Sequence, residues 1–141
     1  MNNLSVAEGT RVIEDIERVL KTLPQEHTQA EHYQLDGVYV RSLFIPKGYL
    51  LTGKIHNHES IGILAQGTLR ISNGTECKIV SAPYITVDQP GIKRLGYAET
   101  DCTFITVHRT DKKEIEDIED ELVSDSIEEY LLKSQQSIED K

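Results

Sequence analysis

Between Tyr33 and Thr110, turn-forming residues recur at intervals too short for helices: Asp36-Gly37, Pro46-Lys47-Gly48, Gly67, Asn73-Gly74, Ala82-Pro83 and Gln89-Pro90-Gly91. Glycine reaches backbone angles closed to other residues and proline fixes its own, so each cluster ends a regular element. The stretches between them are 38–45, 49–58, 61–65, 68–72, 77–80, 84–87, 92–97 and 102–109, and none shows a helical period. Many short strands at even spacing predict a small sandwich or barrel. Asn73-Gly74, set between Leu69-Arg70-Ile71 and Cys77-Lys78-Ile79-Val80, marks the clearest hairpin.

Helical patterns flank this region. Residues 5–23 place Val12, Ile13, Ile16, Val19, Leu20 and Leu23 on one stripe, opened by a Ser5-Val6-Ala7-Glu8 capping box and stopped by Pro24. Such a stripe needs cover, either on the outside of the core or across an interface in a homo-oligomer. From Asp111 a second helical pattern carries Ile115, Ile118, Leu122 and Val123, then Ile127, Tyr130, Leu131 and Leu132; residues 134–141 read as frayed. At 141 residues the chain holds one domain. The expected division is residues 1–32 as helix and linker, 33–110 as the barrel, and 111–141 as an acidic helical tail.

The charge is unevenly placed. The chain has 24 Asp+Glu and 15 Lys+Arg for a net of -9, and 12 of the acidic residues with only 4 of the basic ones lie in 111–141. The tail is expected as a solvated appendage, the alternative being a shield over a basic site or a contact for a partner. Acidity on this scale argues against broad binding to nucleic-acid polymers, which needs basic surface to displace counterions. No apolar run approaches the ~20 residues of a membrane span, and the first residues lack the pattern of a signal peptide. The expectation is a cytoplasmic protein with no membrane partner, in which Cys77 and Cys102 are reduced thiols.

The string most open to chemistry is Gly53-Lys54-Ile55-His56-Asn57-His58. In a continuous strand Lys54, His56 and His58 share one face. Two imidazoles two residues apart can reach one metal ion; a surface pair or a hydrogen-bonded pair is an equal reading. This string, followed by Ile61-Gly62-Ile63-Leu64-Ala65-Gln66-Gly67, resembles the first motif of the cupin superfamily, and Pro90-Gly91-Ile92-Lys93-Arg94 resembles the second. The chain is also similar to small cupin-like proteins encoded by bacteriophages in its 52–56 and 108–111 segments. The resemblance implies a double-stranded β-helix (jelly-roll) barrel, a mainly β fold with an N-terminal amphipathic helix and the acidic helical tail. It also implies a site at the barrel mouth, in host cytoplasm if a phage encodes the chain.

The departures from the motif shape the function. Where cupins carry a Glu ligand stand Ser60, Ile61, Gly62 and Ile63, and the third His position holds Arg94. A guanidinium has no lone pair for a metal. A metal set would therefore need His56 and His58 with His108 as substitute, holding one divalent transition metal. Without a cofactor, the same barrel suits a small anionic ligand bearing phosphate or carboxylate, a nucleotide included. Its contacts would be Lys54, His56, His58, Arg94 and His108, with Tyr84 and Phe104 as walls. Lys93, opposite Arg94 by alternation, is expected at the surface. Arg94, pointing inward, needs a carboxylate such as Glu59, Asp88 or Glu99, or else a bound anion.

Three functions stand side by side at this point. The first is an anion-binding protein, favoured because ligands are missing. The second is a metal-dependent cupin enzyme of the isomerase, epimerase or dioxygenase type, and the third is a structural module. No nucleophile elbow, phosphate-binding glycine loop or zinc-finger spacing is present.

Overall fold

The computed structural model of the protein describes residues 3–26 and 28–139. Helix α1 (Asn3–Leu20) leads into β1 (Ala30–Leu35), β2 (Gly37–Ile45), β3 (Leu50–Thr52), β4 (Ile55–His56), β5 (Ser60–Gln66) and β6 (Thr68–Ser72). Then follow β7 (Cys77–Ser81), β8 (Tyr84–Asp88), β9 (Leu95–Ala98), β10 (Cys102–Thr110), α2 (Ile115–Leu122), β11 (Val123–Ser124) and α3 (Ile127–Glu139).

The strands build two antiparallel sheets, of order β1-β2-β10-β5-β8 and β3-β9-β6-β7, while β11 pairs separately with β4. Alternation along each strand turns one face of each sheet inward. Leu43, Ile45, Leu64 and Cys102 from the first sheet meet Leu69, Ile71 and Ala98 from the second in one apolar core. This core fills one end of the barrel. Toward the other end the inward residues become polar.

Helix α1 is bolted to the outside by polar and backbone contacts as well as by buried Ile13. The Thr10 hydroxyl donates to the Gly91 carbonyl at 2.6 Å. Gly9 lies so close to the β6–β7 turn that a Cβ there would sit 2.4 Å from the Asn73 carbonyl oxygen. That contact explains a glycine in mid-helix, where it otherwise costs about 1 kcal/mol. Glu14 Oε1 accepts the backbone N–H of Ile127 at 3.1 Å, so α1 also supplies a capping group for α3.

Several expectations shift. Helix α1 ends at Leu20, and turns rather than helix occupy 21–23. Ser5 falls inside the helix, and its side chain, with the proposed capping box, lies outside the described residues. Strand β1 begins within the expected linker. The expected strand 49–58 is two short pieces, β3 and β4, because Gly53 and Lys54 leave the ladder. The expected strand 92–97 starts only at Leu95. Residues 134–139, expected to fray, are helical; Asp140 and Lys141 lie outside the described residues.

Candidate functional site

Register places the inward residues of the five-stranded sheet in layers. Leu43, Phe104, Leu64 and Tyr84 lie side by side next to the apolar core; Arg41, Thr106, Gly62 and Thr86 form the next row. A Cβ on Gly62 would sit 2.9 Å from the Phe104 ring, so the glycine makes room for the aromatic side chain. The outermost row holds Tyr39 beside His108, and Ser60 beside Asp88.

His56 and Arg94 close over this polar end from the other side of the barrel. The two motifs that carry them are stitched together by the backbone: His56 N donates to Ile92 O at 3.2 Å, and Gly91 N donates to His56 O at 2.7 Å. His56 Nδ1 is 3.0 Å from Ser60 Oγ and 4.0 Å from Asp88 Oδ2. Arg94 forms an ion pair with Asp88 Oδ1, and Asp88 is only 1% exposed. The His56 and His108 rings meet edge to face with centroids 5.7 Å apart. Tyr39 packs tilted on His108 at 6.0 Å, and its hydroxyl lies 2.5 Å from His32 Nδ1.

Burial sets the charge state of these groups. It pushes His56 down to about 4, with Arg94 and Arg41 adding to the shift. It likewise pushes His108 down to about 4, helped by His56, Arg41 and His58. Both imidazoles are therefore neutral near pH 7, each offering one donor and one acceptor. Asp88 is raised from the ordinary carboxylate range by burial, with the Arg94 guanidinium pulling the other way.

The acidic tail closes this end. β11 pairs with β4 so that Val123 lies opposite His56 and Ser124 opposite Ile55. Asn57 is the fastener: its N–H donates to Leu122 O at 2.8 Å, and its side-chain nitrogen donates to Glu121 O at 3.0 Å. Its Oδ1 accepts from Ser124 Oγ at 2.7 Å. Ile118 and Leu122 of α2 bury Tyr39. The expected solvated appendage is thus a docked cap over the barrel end that carries the histidines.

Of the site residues expected from the sequence, His56, His108 and Arg94 come together, while Phe104 and Tyr84 sit one or two rows deeper. Lys54 and His58 do not join them. Lys54 is exposed and pairs with Asp125 of the tail at 3.2 Å. His58 is exposed at the rim. The alternation that would align all three fails because β4 contains only Ile55 and His56. Lys93, expected at the surface, is 1% exposed and pairs with Glu17 of α1 at 3.0 Å.

Among the described residues, no group of three His, Cys, Asp or Glu side chains is placed to hold a metal ion. With His58 turned out, the donor set His56, His58 and His108 does not fit a metal centre. Sequence reasoning missed Tyr39, Ser60 and above all Arg41, and it named Asp88 only as one pairing option.

No protein-family model and no curated protein matches the chain. Solved structures do. KdgF from Halomonas sp. is 15% identical with a TM-score of 0.54, covering 67% of this chain and 87% of that one. A cupin-2 domain containing protein from Shewanella frigidimarina is 12% identical with a TM-score of 0.50, covering 71% and 97%. The fold is that of the cupins. Ectoine synthase from P. lautus, 14% identical with a TM-score of 0.53 over 62% of this chain and 67% of its own, shares the same cupin fold. Cupin-fold neighbours thus include proteins named as enzymes and others of unknown function. No helix among the described residues is long and apolar enough to cross a membrane.

Proposed function

We propose that the polar end of this cupin barrel binds a small anionic ligand bearing a carboxylate or phosphate, with Arg41 meeting its charge. One observation carries the reading. Arg41 lies on the same face of β2 as Tyr39 and Leu43, is itself exposed, and has no ion-pair partner among the described residues. The charge of Arg94 is already answered by Asp88, so Arg94 moves from ligand contact to a scaffold for the site. Thr106 stands next to Arg41 in its row, the neutral His56 and His108 lie close enough to feel its charge, and Phe104 is one row deeper. An exposed guanidinium with no ion-pair partner among the described residues is open to a ligand and offers a two-pronged grip on a carboxylate or phosphate.

The test begins with native mass spectrometry of the full chain, which reports a co-purified anion by mass. Calorimetric titration with inorganic phosphate and with citrate follows. Arg41→Ala is expected to weaken whichever anion binds at least tenfold, while the circular dichroism spectrum is retained. Lys54→Ala, which lies outside the site, should change affinity by less than about twofold. Undiminished affinity in Arg41→Ala would sink the reading.

A second reading rests on a different observation. Asp88 and His56, 4.0 Å apart, are shifted in opposite directions by their surroundings. Such surroundings keep His56 neutral and able to accept a proton, beside the Asp88 carboxylate that Arg94 holds. His56, steadied by Ser60, would then act as a base toward a bound carbonyl compound, in an isomerase-type reaction. Solvent deuterium should enter the co-purified ligand with the native protein, but not with His56→Gln; no exchange in the native protein rejects catalysis of this kind.

A further inference from the structure

The four-stranded sheet brings a cation of its own to the inside of the barrel. Lys78 lies directly opposite Ile71 in the β6–β7 pair, and Val80 opposite Leu69. Leu69 and Ile71 are core residues, and directly paired residues share a face, so Lys78 stands on the inner face of β7. β7 is one edge of its sheet and β8 one edge of the other, and the two follow each other in the chain without pairing. Across that seam the Lys78 ammonium lies 5.4 Å from the centre of the Tyr84 ring, within cation–π range. Its hydrogen bond lowers the Tyr84 phenol, with Arg94 adding to the shift and burial opposing it. Lys78 has no ion-pair partner among the described residues. We infer that Lys78 and Arg41 hold the two ends of one elongated ligand, an organic dianion with an anionic group at each end and an apolar middle.

The inference rests on the reading that Arg41 meets an anion, and it supplies the far end of that ligand. Arg41 and Thr86 are the two ends of the row that crosses β2, β10, β5 and β8. Three strand spacings of about 4.8 Å set those ends about 14 Å apart. Tyr84 follows Thr86 on the inner face of β8, one row deeper, so Lys78 stands at the end of the row away from Arg41. Both cations sit on long flexible stems that can reach toward each other. A single carboxylate or phosphate on Arg41 is too short to span the row, whereas a linear dianion can. The floor between the ends is apolar. The Phe104 ring occupies the place where Gly62 has no side chain, with the Thr86 methyl group beside it. Asp88 and Arg94 answer each other and add no net charge to the span. Once one end of a dianion is held, the second contact forms within the complex, so the two grips reinforce each other.

Calorimetric titration of the full chain with succinate, adipate and suberate, each beside the monocarboxylate of equal length, tests this. Suberate is expected to bind at least tenfold more tightly than octanoate. Succinate, too short for the row, should gain less than about threefold over butyrate. Lys78→Met, at an exposed position, should weaken suberate at least tenfold and octanoate less than about twofold, with the circular dichroism unchanged. Arg41→Ala should weaken suberate and inorganic phosphate alike. Suberate that binds no better than octanoate, or that Lys78→Met leaves undiminished, overturns the inference. Phosphate binding that still depends on Arg41 would in that case leave the anion site standing. If Arg41→Ala spares both suberate and phosphate, the anion site itself fails and the inference falls with it.

Discussion

Asp88 is the residue on which the polar end of the barrel turns. It is 1% exposed, neutralises Arg94, and stands 4.0 Å from the ring of His56. Removing one partner of a buried pair leaves the other uncompensated, so Asp88→Asn should cost about 2–4 kcal/mol in urea-induced unfolding. It should also release Arg94 as a second cation in the site. The same variant is therefore expected to bind inorganic phosphate more tightly than the native chain by calorimetry, the opposite of Arg41→Ala. A loss of affinity in Asp88→Asn would show that the carboxylate itself faces the ligand. The two histidines make a separate prediction about pH. Each is held at about 4 in the folded chain, against about 6.5 when unfolded. As pH falls below about 6.5 the unfolded state takes up protons first, so stability is level above that value and declines toward pH 4. At about 1.4 kcal/mol per pKa unit, the loss approaches about 7 kcal/mol for the pair by pH 4. Asp88, raised by burial, acts with the opposite sign in its own window just above the ordinary carboxylate range. Chemical denaturation at pH 7.5 and pH 5 reads the balance, and His56→Gln should flatten the slope.

At the scale of elements, Asn57 fastens the cap by its side chain, beside the β4–β11 pairing and the packing of Ile118 and Leu122 on Tyr39. Asn57→Ala deletes the bonds to Glu121 O and Ser124 Oγ but keeps the backbone bond to Leu122. A loss of about 1–2 kcal/mol is expected, confined to the cap. Amide exchange should quicken over residues 115–124 and stay unchanged in β2 and β10. Equal acceleration everywhere would mean that the cap and barrel unfold as one unit. The barrel strands were legible because their punctuation is local: glycine and proline act on their own dihedral angles, and β6 matches its expected bounds residue for residue. Two of the failures share a cause, since each depends on a partner distant in sequence. Lys93 is buried because Glu17 of α1 comes to meet it. The tail reads as solvated from its charge, yet Ile118 and Leu122 find Tyr39. Arg41 escaped notice because Val38 and Val40 are as apolar as Tyr39 and Leu43, so alternation in β2 does not say which face is inside.

For the whole molecule, the two faces of the five-stranded sheet ask for opposite environments. The inner face is covered largely within the chain, by the second sheet at one end and by the α2–β11 cap at the other, with Arg41 left exposed. The outer face leaves Leu35, Ile85 and Val87 exposed. Folding and ligand binding should be linked by mass action, since a dianion that spans Arg41 and Lys78 binds the folded barrel and not the unfolded chain. The midpoint of thermal unfolding should rise by about 8 °C at about a hundredfold excess of suberate over its dissociation constant, for a domain of this size. Lys78→Met should roughly halve that rise at the same suberate concentration. Ile85→Lys should leave the rise unchanged, because Ile85 and the polar pocket lie on opposite faces of the same strands. A midpoint raised as far by octanoate as by suberate would mean that one guanidinium holds one carboxylate and the far end of the ligand meets nothing. The barrel would then read charge at one edge only.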